Sequence, residues 1–113
     1  MNKPFTVFML VKTRASWLAL PPPARFAFLD SDIKPLLGKH PGVSLRFFDI
    51  EAFATLCTDV LMWQVQDLPH YISLVEGLRE TRFWDDYFDV VAILPGVEDG
   101  YADHYQQVPI AAR

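Results

Sequence analysis

Few residues in this chain have the types and spacing that chemistry needs. The three histidines, His40, His70 and His104, are far apart. None stands in an H-x-x-x-H or C-x-x-C spacing that would hold a metal. One histidine is enough to ligate a haem iron, so His70 and His104 retain that capacity. Exposed loop or helix-start positions account for both more simply. No metal site and no cofactor is therefore expected. The lone Cys57, between Leu56 and Thr58, reads as a small buried hydrophobe. Ser16 and Ser44 lack a G-x-S-x-G turn or a recognisable partner. The five glycines are isolated, without a G-x-G-x-x-G or P-loop to cradle phosphate. No catalytic residue can be assigned on these grounds.

Charged and aromatic groups offer more. Asp49, Glu51 and Asp59 fall at neighbouring strand ends. If they converged in a semi-apolar cleft, their pKa values would separate and support acid–base work. The simpler reading, adopted at this level, is solvated loop carboxylates. Arg46 lies mid-strand between Leu45 and Phe47 and needs an explanation. A structural pairing with Asp49, Asp59 or an acid across a dimer is expected, with an anionic ligand as the alternative. Trp17, Trp63, Trp84, Tyr101 and Tyr105 suit core and rim packing. Tyr101, His104 and Tyr105 recur at helical spacing, carry polar tips and could fold over the mouth of a sheet. Arg46, Gln64, Tyr101, His104 and Tyr105 are accordingly the residues expected to line a cleft for a small apolar or aromatic ligand.

These residues have to be positioned by regular elements, and the pattern of those elements is clear. Phe5–Thr13, Val43–Ile50, Thr58–Gln66 and Tyr87–Leu94 read as strands, rich in β-branched and aromatic residues. Pro21, Pro22 and Pro23 precede an apolar stripe of Phe26, Leu29, Ile33, Leu36 and Leu37, which predicts a helix starting near Pro22 or Pro23. Pro35 should kink it, unless Asp32 caps a second short helix there. Asp67 precedes a second stripe, Leu68, Tyr71, Ile72, Val75 and Leu78, ending near Thr81 or Arg82. Pro95-Gly96 should turn the chain, and a short helix around Tyr101 should follow. The order strand, helix, strand, strand, helix, strand is the split βαβ pattern. It predicts a single α+β domain over residues 1–113. The expected fold is ferredoxin-like βαββαβ: a four-stranded antiparallel sheet with two helices on one face.

Period-two alternation then divides each strand. Phe5, Val7, Met9 and Val11 suit the helix side. The other face should hold Thr6, Phe8, Leu10 and Lys12, then Ser44, Arg46 and Phe48. Val60, Met62, Gln64 and Gln66 should continue it, with Tyr87, Asp89, Val91 and Ile93 from the last strand. That face is too apolar for water, so two copies should pack sheet to sheet as a homodimer.

Composition narrows the partners. With 113 residues, a net charge of −4 and scattered basic residues, the chain lacks the basic stripe of a nucleic-acid binder. Phe5–Val11 is too short to span a bilayer, and Lys12 and Arg14 close it without a cleavage site. One cysteine forms no intramolecular disulfide. A cytoplasmic protein with no membrane or nucleic-acid partner is expected.

The runs Lys12–Leu20, Leu45–Phe53, Asp59–Trp63, Leu78–Trp84 and Tyr101–Tyr105 resemble the darcynin family over nearly the whole chain. That resemblance implies a small bacterial protein without an assigned activity and provides no site residues. More widely, the pattern is similar to dimeric α/β barrels, which include cofactor-free monooxygenases, haem enzymes and pure binding modules. Likeness at that level does not give function. Two alternatives to a ligand-binding homodimer stay open. One is a cofactor-independent enzyme acting on an aromatic metabolite, monooxygenase-like or isomerase-like, with Tyr101, His104 and Arg46 orienting and deprotonating it. The other is a structural or regulatory interaction module without a ligand.

Overall fold

Nine residues of alternating burial, Phe5–Thr13, form the central strand β1 in the computed structural model, which describes residues 3–113. Strands β2 (Val43–Asp49), β3 (Asp59–Val65) and β4 (Phe88–Val97) complete a four-stranded sheet in the order β2-β3-β1-β4. Every neighbouring pair is antiparallel. This is the arrangement that the split βαβ pattern predicts.

Helices α1 (Ala15–Leu18), α2 (Pro22–Phe28) and α3 (Lys34–Gly38) connect β1 to β2. Pro22 and Pro23 open α2, where a missing N–H costs nothing. Between α2 and α3 lies a wide π-helical turn, Leu29–Ile33. Its flanking residues, Phe28 and Lys34, keep right-handed helical angles, so the chain neither breaks nor restarts. Pro35 cannot donate to the turn before it and crowds the carbonyl there. A widened turn accommodates both effects. Asp32 sits inside the π turn, and Ile33, not Asp32, occupies the N-cap position of α3.

Helix α4 (Leu68–Arg79) joins β3 to β4. Asp67 holds its N-cap position but makes no capping hydrogen bond. Its carboxylate lies 3.9 Å from His70 Nε2 instead. Gly77 permits a close crossing of α4 over α3, because a Cβ there would meet Leu36 Cδ1 at 2.5 Å. After α4 the Thr81 hydroxyl donates to the Leu78 carbonyl at 2.7 Å and accepts from the Phe83 N–H at 3.2 Å. That local pairing competes with the helix and ends it. A second π turn, Phe83–Tyr87, follows. Tyr87 is therefore buried in this turn and not the first outward residue of the last strand.

The sheet confirms the alternation in three strands and departs from it in the fourth. Val7, Met9 and Val11 of β1 and Leu61, Trp63 and Val65 of β3 are buried beneath Leu74 and Leu78 of α4. Thr6, Phe8, Leu10 and Lys12 face away, opposite Gln64, Met62 and Val60. Along β4, Leu10 pairs with Ala92 whereas Val11 pairs with Val90, so Val91 has no opposite residue. This bulge reverses the parity beyond it. Asp89 pairs with Lys12 on the outer face as expected, but Ile93 pairs with Met9 on the helix side. The outward residues are Ala92 and Leu94, in place of the predicted Val91 and Ile93. Pro95-Gly96 is no turn either; Pro95 pairs with Val7 inside β4. Since β4 is an edge strand, its proline can be accommodated with the N–H position facing away from β1.

Candidate functional site

Four of the five predicted cleft residues divide between two hollows, and His104 lines neither. Arg46 and Gln64 project from β2 and β3 onto the outer sheet face. There they line a hollow of about 410 Å³ with Thr6, Phe8 and Met62. Arg46 makes neither of the intrachain pairings predicted for it, because Asp49 and Asp59 belong to the opposite face. Its guanidinium lies 5.1 Å over the Phe48 ring, a cation–π contact on the same face.

Tyr101, His104 and Tyr105 come from the short C-terminal helix α5 (Gly100–His104) and the turn after it. Tyr101 and Tyr105 line a second hollow of about 540 Å³ with Val108 and Ile110. His104 packs edge-on to Tyr105, with ring centroids 4.7 Å apart. Lys3 fastens this segment to the start of β1, through Asp103 at 2.9 Å and the Glu98 carbonyl at 3.0 Å. The other two histidines find each other. The Nδ1 atoms of His40 and His70 are 3.2 Å apart, so one ring donates and the other accepts.

A third cavity, of about 600 Å³, opens on the helix side at the other end of the sheet. Its walls are α2, the π turn and α3 on one side and the inward residues Leu45, Phe47 and Asp49 of β2 on the other. The amphipathic stripe of Phe26, Leu29, Ile33 and Leu37 supplies the roof. Phe83 and Phe88 close the inner end. The Trp17 ring, 5.1 Å from Phe88 and 5.9 Å from Phe28, stiffens the wall in an edge-packed aromatic cluster.

Asp59 is the polar group of this cavity that the fold treats most unusually. It is 7% exposed, and Asp49 and Glu51 line the same space. Its Oδ2 accepts the Thr58 hydroxyl at 2.7 Å, while Thr58 Oγ accepts the Thr13 N–H at 2.9 Å. Among the described residues no basic side chain pairs with it. Burial pushes the Asp59 carboxyl above the ordinary aspartate value, the Thr58 hydrogen bond opposes that shift, and Asp49 and Glu51 add to it. The three carboxylates therefore line one cavity, with Asp49 and Glu51 exposed, as the simpler reading has them, and Asp59 buried. The sequence marked all three; Arg25, Phe26, Ile33 and Lys34 on the facing wall were missed. The sequence signal for Phe26 and Ile33 was the helical stripe, which says core before it says cavity, and Arg25 and Lys34 carried none.

This geometry carries a sign. The folded state holds the Asp59 proton more tightly than the unfolded chain does. Stability should therefore fall as pH rises from about 3.8 through the raised folded value. Asp59→Asn should abolish that part of the dependence and be the more stable protein at pH 7. Urea midpoints between pH 4 and 8 measure it. Parallel profiles for the two proteins would show that Asp59 titrates normally.

Comparison with known proteins agrees with the fold and stays silent on this cavity. A family model described as "Darcynin, domain of unknown function" matches residues 1–113. A darcynin homolog of Granulibacter bethesdensis is 54% identical over 108 residues, covering 95% of this chain and 87% of its own. One from Streptomyces avermitilis is 43% identical over 109 residues, covering 96% and 90%. Among solved structures, a mutant chlorite dismutase from Candidatus Nitrospira defluvii superposes with a TM-score of 0.76 at 17% identity. A protein from Thermus thermophilus described as heme-binding gives 0.77 at 14%. Each of these covers 94% of this chain, which spans only 44% of theirs. At such identity they share the ferredoxin-like fold alone. Among the described residues no helix is long and apolar enough to cross a membrane. On the match across its whole length and on these relatives, the chain belongs to the darcynin family.

Proposed function

We propose that residues 1–113 act as a single cytoplasmic domain that forms a homodimer and binds one small, largely apolar molecule per chain in the helix-side cavity. The observation that carries this reading is the cavity itself. Its volume of about 600 Å³ lies within the usual range of ligand pockets. Its surface is mostly apolar, with a few polar groups and a buried carboxyl among them, which is how ligand sites are built. The cleft is thus assigned to the space beneath α2 and α3. Arg46 and Gln64 are assigned to the dimer interface, and Tyr101, His104 and Tyr105 to a C-terminal arm at its edge.

Two global quantities support the dimer. A compact monomer of this mass exposes about 6,300 Å²; this chain exposes 7528 Å². A compact domain of this length has a radius of gyration of about 13 Å; here it is 16.1 Å. Open shape and an apolar outer sheet face are what a protomer shows when its partner is removed.

The name of the Thermus thermophilus neighbour raises haem as a ligand. The cavity does not fit it. Among the described residues no His, Cys, Met or Tyr lines the walls, so none of them offers the iron a ligand atom of the usual kinds.

N-phenyl-1-naphthylamine, uncharged at pH 7 and bright only in apolar surroundings, tests the reading. One site per chain is expected. Leu45→Trp, which fills the cavity from β2, should weaken binding at least tenfold while the thermal midpoint shows the variant folded. Unchanged binding by that variant would remove the cavity from consideration.

A further inference from the structure

We infer that the helix-side cavity selects an organic cation: a small molecule with a flat apolar body and a protonated amine, seated with the amine against Asp59. The inference rests on the cavity assigned above and names the class of its ligand.

Charge is the first argument. Asp30, Asp49, Glu51 and Asp59 line the cavity, against Arg25 and Lys34. Arg25 is already engaged. Its Nε donates to the Trp17 carbonyl at 3.2 Å and its Nη2 to the Leu18 carbonyl at 3.1 Å. Among the described residues, none of the four acids forms an ion pair. The space is therefore net negative and repels an anionic ligand, while a cation inside it meets uncompensated carboxylates.

Burial is the second and independent argument. Asp59 is more than nine-tenths removed from solvent, yet faces the cavity and, among the described residues, receives only one neutral hydroxyl. A buried carboxyl without a counter-charge is costly, and cores rarely keep one. A ligand ammonium would supply both the missing charge and the missing hydrogen-bond donor.

The walls decide which kind of cation. Among the described residues no three acidic, histidine or cysteine side chains are grouped to hold a metal ion. Trp17, Phe26, Phe47, Phe83 and Phe88 present aromatic surface instead. Such faces attract an organic cation through their negative π-clouds and cover its apolar body. Because the carboxyl is buried while the rings of Phe26 and Phe47 stay exposed, the amine should enter first.

Three naphthalene probes of nearly equal shape test this in the full chain by isothermal titration at pH 7. They are 1-naphthylmethylamine, 1-naphthalenemethanol and 1-naphthoate. The amine should bind at least tenfold more tightly than the alcohol, with the carboxylate weakest. Asp59→Asn should cost the amine at least tenfold and leave the alcohol within about twofold. Asp49→Asn with Glu51→Gln, both exposed and safe for folding, should cost the amine two- to fivefold. Equal or tighter binding of the alcohol or the carboxylate would overturn the cation inference. So would an unchanged amine affinity in Asp59→Asn. If none of the three binds while the neutral reporter does, the cation inference fails and the cavity stands. If the reporter fails as well, both fall.

Discussion

Trp63→Ala should destabilise the protein by about 3–5 kcal/mol, enough to unfold much of it at 37 °C. Trp63 is 1% exposed and stands at the middle of the inner sheet face. It pairs across to Val7 on β1 and to Leu45 on β2, so one ring fills space shared by three strands. Truncation at such a site loses the transfer free energy of the indole and leaves a cavity that flanking strands cannot close. The indole N–H, however, has no hydrogen-bond partner among the described residues. An orphaned buried donor costs about 1–3 kcal/mol. Trp63→Phe deletes that donor with the outer part of the ring, so the two effects oppose each other. A loss of less than about 2 kcal/mol is expected for phenylalanine. Urea midpoints at one fixed protein concentration would show the difference, since the proposed dimerisation would make stability concentration-dependent. Similar losses for the two variants would mean that the indole N–H is hydrogen-bonded in solution after all, and that losing this bond outweighs the ring volume at this position.

The second large effect is expected at the outer face. Native mass spectrometry at micromolar protein should give twice the chain mass of 13.0 kDa. Phe8→Glu should give the single-chain mass. Phe8 lies on the central strand, 42% exposed in the isolated chain, beside Met62 and Leu94 across the two ladders. In a two-fold sheet-to-sheet contact this region meets its own copy, so each dimer would bury two unpaired carboxylates. A rise in dissociation constant of at least about 100-fold is expected from such burial. Ile72→Glu is the control: Ile72 is exposed on α4, on the opposite side of the sheet, and the dimer should survive it. A wild-type monomer at micromolar concentration would exclude this interface. A monomer with Ile72→Glu would move the interface to the helices.

Much of this protein was legible in its sequence, and the legible part is local. Alternation assigned the inner faces of β1, β2 and β3, because a strand keeps its period of two unless something interrupts it. The proline and stripe signals placed α2 and α4, and the element order alone implied the antiparallel sheet. The family resemblance was legible for a similar reason, residing in short runs of sequence. What required tertiary structure was every feature defined by two segments at once. The bulge at Val91 exists only in the pairing of β4 with β1, and it moves Ile93 to the other face without any mark in the sequence. Pro95 could be taken as a turn until β4 was known to be an edge strand. Arg46 and Gln64 were grouped with Tyr101, His104 and Tyr105 by chemical type, but strand direction and the course of the tail set Arg46 and Gln64 in one hollow and Tyr101 and Tyr105 in another, with His104 lining neither. The carboxylates show the division most clearly. Sequence could name Asp49, Glu51 and Asp59, but the burial of Asp59 depends on a roof formed by α2, the π turn and α3. Whether a carboxyl is solvated or poised in a cavity is decided by what lies opposite it, and that is a property of packing.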